Sequence, residues 1–198
     1  LIYSCILNDI EHPYNILEIG LGTNDPKVVS SMGIFGNPGA SIKGFRDTFP
    51  KAIIYGADVD KMAEAARMVE DAGADTVEIN CGCPAPKIVR RGGGAGLLRD
   101  LPLLARIIRA TVNAVSIPVT IKIRNGWCED SINALETLKV AEENGAQGIG
   151  VHGRTRVRLY RGLADWDIIR QMKKVATIPV LGSGDVILPE DARERFEQ

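Results

Sequence analysis

The chain has 198 residues, 45% hydrophobic and 25% charged, with a formal net charge of −1. That is enough apolar material for one real core, and the near-neutral balance excludes a global pull toward nucleic acid or membrane, so RNA contact must come from a local patch. No apolar run approaches the ~20 residues that span a bilayer. Four cysteines without regular spacing form no disulfide framework, which points to a reducing cytoplasm. Cys81-Gly82-Cys83 is too tight for a zinc half-site and lacks a second Cys or His pair, so no metal is expected. The chain opens at Leu1 and its first methionine is Met32, which reads as a fragment of a gene product.

The first sixty residues predict a strand over Tyr14–Gly20, a turn Gly20-Leu21-Gly22-Thr23, and a polar loop. A short helix near Ser41–Phe49 and a strand Ala52–Gly56 ending in Ala57-Asp58 follow. A glycine turn after one strand and an acid after the next is the layout of a nucleotide-type site. The glycines let backbone approach a ligand, and the carboxylate accepts ribose hydroxyls. On spacing alone, a tight strand-to-loop turn is an equal reading.

From Lys61 onward strands and helices alternate. Met62, Ala65, Ala66 and Val69 recur at helical spacing up to Gly73. A strand over Thr76–Asn80, a helix over Leu101–Val115 and a strand over Pro118–Ile123 follow. Next come a helix over Ile132–Asn144 closed by Gly145, a strand Gly148–His152, a helix Trp166–Val175 and a strand Pro179–Gly182. Pro189 starts one more helix. Short β-branched strands separated by single helices define parallel, right-handed βαβ units. Such units close as an open doubly wound sheet or as a barrel. Four successive strands end in polar residues: Asn80 with Cys83, Lys122 with Arg124, His152 with Arg154, and Ser183 with Asp185. A barrel gathers those ends on the rim where barrel active sites lie. The expected fold is therefore α/β: a partial TIM (β/α) barrel over residues 61–198, preceded by a Rossmann-like βαβ segment over residues 1–60.

Cys83 lies in Glu78-Ile79-Asn80-Cys81-Gly82-Cys83-Pro84, directly after a strand. Pro84 stiffens the loop, and Gly92-Gly93-Gly94 lets backbone come close to something bound. Alone, Cys83 reads as a structural cysteine, Lys122 equally as a solvated cation, and His152 as a core histidine. Their joint placement on one rim makes a site the better reading. Arg90, Arg91, Arg154, Arg156, Arg158 and Arg161 flank the same loops and are either solvated charges or phosphate contacts.

From about Asp60 to Glu197 the sequence resembles the tRNA-dihydrouridine synthases, FMN enzymes built on a TIM barrel. The matching stretches are MAEAARMVEDAGADTVEINCGCPAPKIVRRGGGAGLLRD, IPVTIKIRNGW, GVHGRTRVRLYRGLADWDII and IPVLGSGDV. The resemblance implies Cys83 as proton donor to the uracil ring, Lys122 and His152 as flavin contacts, and Asn80 at substrate and flavin. It further implies Arg154 on the substrate side and Gly182, Ser183 and Gly184 as part of a phosphate turn, where the family usually has GNGD. FMN would be the cofactor, NADPH the reductant and tRNA the partner. Another FMN-dependent pyrimidine reductase on the same barrel is the near alternative.

Residues from about Asn15 to Asp60 instead resemble the start of a class I S-adenosylmethionine-dependent methyltransferase. Cofactor roles would fall there on Glu18, Gly20, Gly22 and Asp58, although Asn24 replaces a third glycine. The two resemblances meet near Gly56-Ala57-Asp58, so the chain reads as a join of partial domains. Set against the synthases, Ile53 stands where they carry Gln, and the resemblance leads one to expect Gln198 to fall before their last phosphate-binding turn. Weak flavin binding and low turnover, or a product with neither site complete, are the corresponding expectations.

Overall fold

Parallel strands bonded strictly in chain order place their crossover helices on one face and leave the other for a site. The computed structural model describes residues 51–54 and 56–197. In these, β1 (Lys51–Ile54), α1 (Val59–Asp71), β2 (Thr76–Cys81) and α2 (Pro86–Val89) lead to a 3-10 helix, Gly94–Arg99. Then come α3 (Leu101–Ala114), β3 (Val119–Arg124), a 3-10 turn Glu129–Ser131, and α4 (Ala134–Glu143). β4 (Ile149–His152), α5 (Trp166–Val175), β5 (Val180–Ser183) and α6 (Pro189–Glu197) complete the series. The five strands make one parallel sheet in the order β1-β2-β3-β4-β5. An open doubly wound sheet reverses its order at a switch point. This sheet does not, and so forms an arc of a (β/α) barrel.

The period of two along each strand divides the faces. Val77, Ile79, Val119, Ile121, Ile123, Ile149 and Val151 are all at most 2% exposed. They join Met62, Ala66 and Val69 of α1, Leu104, Ile107 and Ile108 of α3, Leu138 of α4 and Met172 of α5 in one core. Burying each such isoleucine or leucine contributes about 1.5–3 kcal/mol. The alternate positions face the other way, toward the barrel interior. Across the sheet Asn80 pairs with Lys122, Lys122 with Gly150 and Gly150 with Leu181. One step further on, Arg124 pairs with His152 and His152 with Ser183.

Side-chain caps fix the starts of α1, α3 and α5. Asp58 accepts from the Lys61 N–H at 3.0 Å, Asp100 from Leu103 at 2.9 Å, and Asp165 from Asp167 and Ile168. The Asp58 cap starts α1 at Val59, two residues ahead of the expected start. α4 begins at Ala134 rather than Ile132, because Ile132 forms an antiparallel bridge with Gly126. The segment between β2 and α3, expected to hold only a glycine-rich turn, carries α2 ahead of the glycines and a 3-10 helix that starts at Gly94. The strand expected over Ala52–Gly56 is seen as Lys51–Ile54. The expected strand Tyr14–Gly20, the glycine turn and the helix near Ser41–Phe49 lie outside the described residues.

Candidate active site at the carboxyl ends of the strands

Asn80 folds the chain back as soon as β2 ends. Its Oδ1 accepts from the Gly82 N–H at 3.0 Å and the Cys83 N–H at 2.9 Å, which holds Cys83 at the rim. The Cys83 carbonyl accepts from the Ala95 N–H at 3.0 Å. Gly94 has φ +56°, and a Cβ there would lie 2.6 Å from the Cys83 carbonyl oxygen. The close approach the glycine run permits is thus to the cysteine's own loop. Cys83 is half-buried, whereas Cys81 faces the core, where burial first and the Glu78 charge second push its thiol far up.

Arg124 ties this loop to the one after β4. It is 4% exposed, and its Nε donates to the Gly82 carbonyl at 3.1 Å. Its Nη1 donates to the carbonyls of Thr155 at 3.2 Å and Leu159 at 2.9 Å. Its guanidinium carbon also lies 5.7 Å from the centre of the Tyr160 ring. From the sequence alone Arg124 reads only as a polar strand end. Its interior-facing parity with Lys122 was the signal available.

Lys122 crosses β4 to reach β5. Its Nζ donates to Ser183 Oγ at 2.8 Å, and Ser183 Oγ in turn donates to the Val151 carbonyl at 3.2 Å. Gly150 lies beneath that path, and a Cβ there would sit 2.6 Å from Lys122 Cδ. His152 is pushed down to about 4, chiefly by burial and then by the Arg124, Lys122 and Arg154 charges, with Asp185 opposing. It is therefore neutral at physiological pH. Asp185 is held below the usual carboxylate range, first by the Ala164 N–H and also by Arg154.

Among the residues expected at the site, Asn80, Cys83, Lys122, His152 and Ser183 share this end of the sheet. Arg154 is there too, but it is 6% exposed and its guanidinium donates to the Gly162 carbonyl and Asp185. Gly182 faces the helices, where a Cβ would lie 2.6 Å from the Trp166 ring, and the Gly184 carbonyl accepts from Trp166 Nε1 at 2.9 Å. Asp58 is a helix cap, and Glu18, Gly20 and Gly22 lie outside the described residues. Arg90, Arg91, Arg158 and Arg161 are exposed, with Arg158 paired to Glu129 at 3.1 Å. Arg99 and Arg156 lie over the Trp127 ring at 4.7 and 4.9 Å. Among the described residues there is no group of three His, Cys, Asp or Glu side chains able to hold a metal ion, and no helix long and apolar enough to cross a membrane.

An interior rim of parallel βα units, here bearing a cysteine, a lysine and a histidine, is the place where (β/α)-barrel active sites lie. The family model described as Dihydrouridine synthase (Dus) matches residues 51–198, and the chain belongs to that family. It is 40% identical over 193 residues to "tRNA-dihydrouridine synthase B" of Pseudomonas putida, covering 94% of this chain and 57% of that protein. To the "Probable tRNA-dihydrouridine synthase" of Rickettsia conorii it is 38% identical over 197 residues, covering 97% and 60%. Both alignments extend into the first fifty residues, and the chain spans under two thirds of either relative's length. A crystal structure of phosphonopyruvate hydrolase is similar at 14% identity and a TM-score of 0.35, covering 76% of this chain and 57% of its own, a level that says nothing about function.

Proposed function

We propose that this chain carries the flavin-binding and catalytic face of a tRNA-dihydrouridine synthase, which reduces the 5,6 double bond of a tRNA uridine with FMN and NADPH. The observation that supports this most is the convergence of Cys83, Lys122 and His152 on one end of β2, β3 and β4 in a member of this family.

The residues present fit a flavin. Lys122 offers a cation fixed by Ser183, and His152 a neutral ring. Gly150 leaves bare backbone beside Lys122, and Leu181, on the same cross-strand row, is 68% exposed as an apolar surface. FMN, when bound, supplies the hydride chemistry that side chains lack. Cys83 holds the proton delivered to the second uracil carbon, and the Asn80 and Ala95 hydrogen bonds fix its loop for that transfer. Lys122 sets positive charge against the negative charge that develops during reduction. In this reading Gly182, Ser183 and Gly184 serve the phosphate side, with Ser183 also holding Lys122. Asn80 borders the substrate, and the exposed arginines face tRNA phosphates, whose contacts dominate nucleic-acid affinity.

The test is a titration of the apo chain with FMN, followed by flavin fluorescence. Binding is expected. Lys122→Met should weaken it about tenfold to a hundredfold, the equivalent of one charge-assisted contact of about 1.5–3 kcal/mol. No binding, or a Lys122→Met variant that binds as tightly as the wild type, would refute the proposal.

A further inference from the structure

Arg154 and His152 meet in a way that constrains where the histidine carries its proton. Nη1 of Arg154 lies 3.4 Å from Nε2 of His152. A guanidinium is always charged and only donates. A proton on Nε2 would set two donors against each other, so the contact is attractive only when Nε2 is bare. A neutral imidazole then carries its proton on Nδ1.

The guanidinium is not free to turn away. Its Nε and Nη2 donate to the Gly162 carbonyl at 3.2 and 2.6 Å, and Nη2 also pairs with Asp185 Oδ1. The second Asp185 oxygen accepts from the Ala164 N–H. Asp185 sits at φ +56°, a left-handed conformation that aspartate tolerates better than most residues. Before it, Gly184 has φ +113°, and a Cβ there would come within 3.4 Å of His152 Nε2 and 2.7 Å of the Ala164 Cβ. The turn after β5 is thus shaped around the Arg154–His152 pair.

We infer that Arg154, braced by Asp185 and the Gly162 carbonyl, is a positioning residue that locks His152 in its Nδ1–H tautomer, so that the nitrogen Arg154 does not occupy is a hydrogen-bond donor. The role differs from the substrate contact that the sequence resemblance implied for Arg154. Its meaning for catalysis rests on the flavin reading, where an Nδ1–H donor suits an electron-rich ligand edge. The tautomer itself does not depend on that reading. The groups facing His152 are Lys122 and Arg124 from β3, Arg154 from its own loop and Asp185 from the turn after β5, with the Tyr160 ring 6.4 Å away.

The chain has two histidines, His12 and His152, so nitrogen-15 NMR of the imidazoles is simple to assign with a His12→Gln variant. In the wild-type apo chain at neutral pH, His152 is expected to show a proton on Nδ1 and an unprotonated, accepting Nε2. In Arg154→Met the balance should move toward the Nε2–H form, and the titration midpoint should rise from about 4 toward the ordinary histidine value. A wild-type His152 protonated on Nε2, or an Arg154→Met spectrum identical to the wild type, overturns the inference. If Arg154→Met does not fold, the wild-type tautomer alone decides. Failure of the FMN titration would remove the flavin reading and leave this result standing, so the two failures are distinguishable.

Discussion

Replacing Gly150 with alanine tests whether bare backbone on β4 is what lets Lys122 reach its working position. The new Cβ would lie 2.6 Å from Lys122 Cδ, 3.5 Å from Cε and 3.7 Å from Nζ. Carbon atoms rest at about 3.5–4.0 Å, so Cδ must retreat by roughly 1 Å. β4 is bonded to β3 on one side and β5 on the other, so the lysine side chain yields rather than the strand. Nζ then leaves Ser183 Oγ, now 2.8 Å away. The lysine stem is flexible and its head half-exposed, so the stability loss should be only about 1 kcal/mol of the 1.5–3 kcal/mol that a charged hydrogen bond can carry. FMN affinity should fall more, about tenfold to a hundredfold, because the cation is displaced from the face it serves. Urea denaturation measures the first quantity and flavin fluorescence titration the second. Ser183→Ala removes the same partner without overpacking and should shift affinity in the same direction. A folded Gly150→Ala protein with wild-type FMN affinity would refute the reasoning.

Gly94→Ala should destabilise the chain by more than the ~1–2 kcal/mol of a left-handed alanine, because its Cβ also meets the Cys83 carbonyl oxygen at 2.6 Å; urea denaturation reads this. Arg124→Met leaves the carbonyls of Gly82, Thr155 and Leu159 without their donor and should cost about 3 kcal/mol, with the Cys83 loop becoming more open to hydrogen exchange. Acid stability should follow His152. Its folded value near 4 lies below the ~6.5 of an unfolded histidine, so the unfolded state binds the extra proton between those pH values. Stability should therefore be fully present above pH ~6.5 and fall as pH drops toward 4, by at most about 3 kcal/mol and less for a ring that is partly exposed. His152→Asn should flatten that part of the stability–pH curve, and an unchanged slope would contradict the assigned environment.

The barrel and the gathering of the candidate residues at one end of the sheet were legible because two periodicities carry them. Alternation in Thr76–Asn80 and Val119–Arg124 marks an apolar face and a polar one, and polar strand ends mark the rim. The supporting contacts were not legible. Arg124 and Arg154 read as rim charges, since nothing in the local pattern tells that their partners are carbonyls and a carboxylate 8 to 42 residues away. Gly94, Gly150 and Gly182 are recognisable as glycines but not by what they approach, respectively the Cys83 carbonyl, the Lys122 stem and the Trp166 ring. The 3-10 helix escaped because its glycine-rich start has weak helix propensity, which packing of Leu97 and Leu98 into the core overrides, and α2 escaped because a single turn of four residues shows no periodicity.

The most direct test of the central claim is dihydrouridine formation in tRNA under single-turnover conditions, with protein in excess, FMN and NADPH present, and nucleosides read by mass spectrometry. Wild-type protein is expected to add two hydrogens to a uridine. Cys83→Ala is expected to bind FMN and oxidise NADPH while leaving uridine unreduced. Dihydrouridine produced by Cys83→Ala at the wild-type rate, or none from the FMN-loaded wild type, would contradict that claim.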